Sequence, residues 1–202
     1  MIMQVLSTHA ATLYAEWRSF KGCAMQTARL GYVCATGRGA SDGLLFGVAA
    51  ALSGRKTLFG VVQINSEADP DRPCHMDLAV LGTDAVIRIS QFLGTGSSGC
   101  RLDTAGLETA VGLVETALLR APPDLVPDLM IINKFGKLEC DGRGFRPLIG
   151  QALAMGIPVL TSVSALNLPC FLDFAQDLAT PLDPDPRTVL DWCVKGQSDT
   201  PR

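Results

Sequence analysis

A chain of 202 residues with 48% hydrophobic and 18% charged side chains is long and apolar enough to bury a sizeable core, since domains near this size bury about 70% of their unfolded surface. Its 17 Lys and Arg against 20 Asp and Glu give a net charge of -3. That balance excludes an overall basic footprint, so nucleic acid and anionic membrane surfaces are not expected partners. The seven cysteines, Cys23, Cys34, Cys74, Cys100, Cys140, Cys170 and Cys193, are odd in number and have no CxxC spacing. They read as reduced thiols in a cytoplasm. The longest apolar runs, such as LLFGVAAAL at 44–52, fall short of the roughly 20 residues a spanning helix needs. No basic stretch leads into an apolar one at the N-terminus, so no signal peptide is expected.

Residues 1–28 show no clear period and form an expected appendage, ahead of one α/β domain over 29–196 and a flexible tail over 197–202. The domain opens with a strand, LGYVCAT, followed by a helix near 42–53 and a second strand, TLFGVVQIN. CHMDLAVLGTDAVIRISQ reads as a hairpin turned at Gly82–Asp84, adding antiparallel strands to one edge. After the glycine loop GTGSSGCRLD at 94–103 come a helix near 104–120, the strand LMIIN, a helix near 144–155 and the strand PVLTSVS. The tail segment TPLDPDPRTVLDWCVKG predicts a short amphipathic helix that docks Val189, Leu190 and Trp192 on the flank of the sheet. Strands alternating with helices predict a mainly parallel sheet. The turns after LGYVCAT and after LMIIN then share its carboxyl edge.

That edge is where α/β sheets bind ligands and where helix N-termini present free N–H groups. The first turn, GRGASDG, has the right setting, but a phosphate-gripping loop requires GxxxxGK[ST]. Counting from Gly37, the glycine, lysine and hydroxyl positions fall on Asp42, Gly43 and Leu44. The strand LMIIN ends on Asn133-Lys134, where nucleotide-hydrolysing folds carry acids. Neither residue can serve as a carboxylate base or as a hard ligand of magnesium. Lys134 instead puts a positive charge at the strand end, a setting for an anion held without a metal.

The loop at 94–103 adds glycines that let N–H groups converge, together with hydroxyl and cationic donors. The expected ligand-binding set is therefore Gly37, Arg38, Gly39 and Ser41 of the first turn, Gly96, Ser97, Ser98, Gly99, Cys100 and Arg101 of the glycine loop, and Asn133, Lys134 and Lys137. No catalytic or metal-ligating residue is assigned. The plainer reading makes the loop a connection capped by Asp103 or Thr104, Asn133 a partner for backbone groups, and Lys137 a solvated charge. Arg143 and Arg146 open the helix near 144–155 against its dipole, which suggests an anionic partner or an ion pair. Lys134→Glu is expected to abolish anion binding and leave the fold intact.

The order of TGR loop and helix, strand and hairpin, DLMIINKFGKLE, GFRPLIGQALAMG and IPVLTSVS resembles the small bacterial and archaeal P-loop nucleoside-triphosphatases, with degenerate Walker motifs. From about Leu30 to Trp192, and above all in RISQFLGTGSSGCRLD and INKFGKLE…GRGF…GIPVL, the chain is similar to a bacterial domain family of unknown function associated with molybdate transport. The resemblance implies a three-layer α/β fold of P-loop-NTPase type with an inserted β-hairpin. It also implies a cytoplasmic protein that holds molybdate, tungstate, a nucleotide or another phosphate-bearing ligand without hydrolysis. The alternatives are a nucleoside triphosphate phosphohydrolase with unconventional catalytic residues, or a non-catalytic adaptor for a molybdenum transporter or regulator.

Overall fold

Aliphatic runs with few charges become the central strands of one sheet, and the amphipathic segments between them become its covering helices. The account rests on a computed structural model that describes residues 29–37, 39–66, 75–91, 101–122 and 125–195. In chain order the elements are β1 (Leu30–Val33), α1 (Ala40–Leu52), β2 (Leu58–Ser66), β3 (His75–Leu81), β4 (Val86–Arg88), β5 (Ser90–Gln91), β6 (Arg101–Leu102) and α2 (Thr104–Arg120). They continue as β7 (Leu129–Phe135), α3 (Lys137–Cys140), α4 (Arg146–Ala154), β8 (Val159–Val163), α5 (Leu168–Ala175), β9 (Ala179–Leu182) and α6 (Pro186–Lys195).

The main sheet has the order β4-β3-β2-β7-β8-β1-β9. Its pairs from β2 to β9 are parallel, while β3 and β4 attach antiparallel beside β2. This is the expected mainly parallel α/β sheet with a hairpin at one edge. Successive side chains of a strand point to opposite faces, and β7 follows that rule. Met130 and Ile132 join one apolar cluster with Leu107 and Val114 of α2, Ile149 of α4 and Phe171 of α5. Leu129 and Ile131 join the other with Leu45 and Val48 of α1 and Val189 of α6. Helices thus cover both faces, giving three layers.

The tail helix docks as expected. Val189 is fully buried, and a Cβ on Gly31 of β1 would come within 2.8 Å of the Trp192 ring. The Arg29 guanidinium lies 4.4 Å from the centre of that ring and donates a hydrogen bond to the Trp192 carbonyl at 2.8 Å. At the other end of the domain, the Asp103 carboxylate caps α2 by accepting from the backbone N–H groups of Ala105 and Gly106. Among the described residues, no helix is long and apolar enough to cross a membrane.

Three features depart from expectation. The first strand ends at Val33, three residues before Thr36. An edge strand, β9, pairs with β1; its Pro181 lacks an N–H and reads as a strand breaker, although an edge tolerates it. Cys140 and Cys170 are joined by a disulfide with their Cα atoms 5.8 Å apart, so the expectation of reduced thiols fails for this pair. Cys34 and Cys193 are free, and burial pushes the Cys193 thiol up to about 12. Cys23, Cys74, Cys100, the appendage and residues 197–202 lie outside the described residues. The bridge closes a 30-residue separation, so Cys170→Ser should lower stability by about 3 kcal/mol. Urea unfolding with and without reductant measures this: wild type should shift on reduction and the variant should not.

Candidate functional site

Strands β1 and β7 run in the same direction, so the turn after β1 and the end of β7 meet at the carboxyl edge. Gly37 and Gly39 adopt φ of 107° and 75° to lead the chain from β1 into α1, a backbone region that favours glycine. This turn delivers Asp42 into the interior on the first turn of α1, where it is 3% exposed.

Four side chains serve its carboxylate. Oδ1 accepts from Asn133 Nδ2 at 2.8 Å and pairs with Lys134 Nζ at 2.8 Å. Oδ2 accepts from Asn65 Nδ2 at 2.7 Å and from Gln63 Nε2 at 3.3 Å. Gln63 Nε2 also donates to Asn65 Oδ1, and the Gln63 backbone N–H donates to Asn133 Oδ1 at 3.0 Å. Ser162 Oγ then donates to the Asn133 carbonyl at 2.6 Å. The network joins α1, β2, β7 and β8 through the buried Asp42, Gln63, Asn133 and Ser162, with Asn65 and Lys134 at its exposed rim. Burial alone would push the Asp42 carboxyl up, but the Lys134 ammonium and the Asn65 and Asn133 amides outweigh it and hold the group below the usual carboxylate range.

This arrangement gives Asn133 and Lys134 a partner within the chain: the carboxylate standing at the second glycine position of a P-loop. It also corrects the expectation for Lys134→Glu. That substitution would set a second carboxylate against a buried one, so it would destabilise the fold as well as any anion site.

Beyond this network, a cavity of about 520 Å³ opens between β2, β3, the start of α2 and the segment from Gly136 to Phe145. Val61, Leu78, Ile89, Leu107 and Phe145 supply its apolar lining, and Gln63, Asn133, Lys134, Lys137, Glu139 and Arg143 its polar lining. Glu139, 4% exposed, shapes the wall. Its two carboxylate oxygens accept from the N–H groups of Gly136 at 2.8 Å and Phe145 at 3.0 Å. Burial raises its pKa against the opposing pull of those N–H groups. Gly144 (φ 59°) leaves room for this carboxylate, since a Cβ there would lie 2.2 Å from Oε1.

Arg146 serves the carbonyl end of α3. It donates to the carbonyls of Glu139 and Cys140 at 3.3 and 3.4 Å, and its guanidinium lies 4.8 Å from the centre of the Phe174 ring. The cation at the start of α4 therefore has partners within the chain. Arg143 pairs with exposed Asp141 at 3.8 Å.

Of the expected binding set, Asn133, Lys134 and Lys137 come together on the cavity. Gly37, Gly39 and Ser41 lie at the β1–α1 junction, bound to that group through the contacts of Asp42. Arg38 and the loop residues Gly96, Ser97, Ser98, Gly99 and Cys100 lie outside the described residues; Arg101 is described through its backbone in β6. Sequence reasoning missed Gln63, Asn65 and Glu139 as organising groups. The signal for the first two was present: polar residues two apart at the end of an apolar strand share one face.

Residues 30–192 match the family described as protein of unknown function (DUF2478). A protein of Bradyrhizobium diazoefficiens named molybdenum import ATP-binding protein ModC 2 is 36% identical over 133 residues, covering 66% of this chain and 14% of that protein. The chain thus spans a small part of the length of this relative. The crystal structure of THEP1 from the hyperthermophile Aquifex aeolicus is similar in fold, with a TM-score of 0.57, 16% identity, and coverage of 83% of this chain and 96% of that one. The likeness to THEP1 is one of fold, a mainly parallel sheet with helices on both faces.

Proposed function

We propose that the chain, which belongs to the DUF2478 family and is 36% identical over 133 residues to a molybdenum import ATP-binding protein, binds a small oxyanion or phosphate-bearing ligand without magnesium and without hydrolysing it. The observation that carries this reading is the placement of Lys134 and Lys137 on one cavity at the carboxyl edge, with Lys137 free of any ion pair among the described residues. The P-loop chemistry that would grip a triphosphate and its metal is replaced by Asp42, Gly43 and Leu44, and the Asp42 carboxylate is already engaged by four side chains.

Molybdate and tungstate are the first oxyanions to test, given the name of the relative. The glycine loop at 94–103, with Ser97, Ser98 and Arg101, is proposed to supply further donors. Association with a molybdenum-transport or regulatory protein is the natural context, with the domain acting inside the cell.

Lys137→Ala should weaken binding by about 1.5–3 kcal/mol, the scale of one charge-assisted hydrogen bond. Thermal-shift titration with phosphate, molybdate, tungstate and ATP tests the reading, because a ligand at 100 times its Kd adds about 2.7 kcal/mol of stability. No shift with any of them would leave the adaptor reading.

A second reading is favoured by Glu139, a buried carboxyl with raised pKa on the same cavity. Such a group suits general acid chemistry in a phosphohydrolase. Against it, both oxygens already accept backbone hydrogen bonds. Phosphate release that is lost in Glu139→Gln would select this reading.

A further inference from the structure

Resting on that reading, we infer that the ligand is an organic anion with a ring-sized apolar body, because one cavity joins Lys134 and Lys137 to a wall of Val61, Leu78, Leu107 and Phe145. Its volume of about 520 Å³ falls in the range of roughly 300–1,000 Å³ typical of sites for organic molecules. A bare tetrahedral oxyanion is only a few waters in size, at roughly 30 Å³ per water, and would leave most of the space to solvent.

Of the amide donors nearest the cavity, Gln63 Nε2 serves Asp42 and Asn65, and Asn133 Nδ2 gives one of its two N–H groups to Asp42. Lys134 is shared with Asp42, and Arg143 with Asp141. Lys134 and Arg143 keep N–H groups beyond those pairs, and Lys137 and the Thr104 hydroxyl add theirs. Those donors suit one anionic head. The apolar wall supplies the rest of the contact. Leu102 also lines the cavity and is 39% exposed, an apolar side chain that a ring would cover.

The experiment is calorimetric titration of the full chain with naphthyl phosphate, inorganic phosphate, molybdate and neutral naphthol. Naphthyl phosphate should bind at least about tenfold more tightly than phosphate, molybdate or naphthol, a difference of about 1.4 kcal/mol. Leu102→Ser should weaken naphthyl phosphate and leave inorganic phosphate unchanged, whereas Lys137→Ala should weaken both. Phosphate or molybdate binding as tightly as naphthyl phosphate would overturn the inference and leave the anion-site reading standing. Naphthol binding as tightly as its phosphate would overturn it by removing the anionic head from recognition. Failure of all three anions to bind would overturn the inference and the reading together.

Discussion

Asp42→Ala should destabilise the fold by on the order of 3–5 kcal/mol, the scale on which one partner of a buried charged network is removed. The carboxylate is the shared acceptor of Asn133, Asn65, Gln63 and Lys134. Its loss leaves the Asn133 amide as a buried donor without that acceptor, at about 1–3 kcal/mol, while Gln63 keeps Asn65 Oδ1. Lys134 contributes less, because 49% of its side chain is exposed and water can replace its partner. Lys134→Ala should therefore cost only about 1 kcal/mol. Chemical denaturation of both variants measures the difference, and equal losses would mean that the ion pair dominates over the amides.

A pH scan adds a signed check. The folded pKa of Asp42 is lowered relative to an unfolded aspartate near about 3.9. Its stabilising contribution is thus complete above that value and is lost as pH falls through the lower, folded value. Stability of wild type should drop in that acid window more steeply than that of Asp42→Ala.

Gly60→Ala should cost more than about 4 kcal/mol, placing it in the exceptional tail of point substitutions. Gly60 has φ of 107°, and a Cβ there would lie 2.0 Å from the Ile131 carbonyl oxygen. The two residues are register partners in the parallel β2–β7 pair at the centre of the sheet. Neither backbone can yield without parting the strands that carry Gln63 and Asn133. Gly47 in α1 is the matched control: nothing lies within 4 Å of its added Cβ, so Gly47→Ala should stabilise by about 0.5–1 kcal/mol through helix propensity. Soluble yield and urea midpoints of the two variants should diverge in opposite directions from wild type.

The parallel core was legible because buried strands such as LMIIN and FGVV are continuous apolar runs, and because α2 announces itself with Asp103 as a cap. The edge was less legible, since Pro181 disguises β9. The disulfide was invisible because Cys140 and Cys170 share no local spacing and meet only when α3 and α5 pack. At the candidate site, Asn133 and Lys134 marked the carboxyl end of β7 in the sequence, and both line the cavity. Their engagement with Asp42 was not legible: it spans 91 residues from Asp42 to Asn133, and pattern reading over a window of one helix or strand cannot see such a pair. Asp42 looked like a missing glycine because the motif was judged by what a phosphate needs. In this fold the position feeds a carboxylate into a ring of amides.

The central claim is binding of an anion at Lys137 and Lys134 without magnesium and without hydrolysis. Calorimetric titration with phosphate, molybdate and ATP, with and without magnesium and with released phosphate followed in the same samples, tests it most directly. The account predicts that at least one anion binds equally well in both conditions, that Lys137→Ala weakens it by about tenfold or more, and that no phosphate is released above background. Affinity appearing only with magnesium, accompanied by turnover of about 1 per second within the ordinary enzyme range, would contradict it.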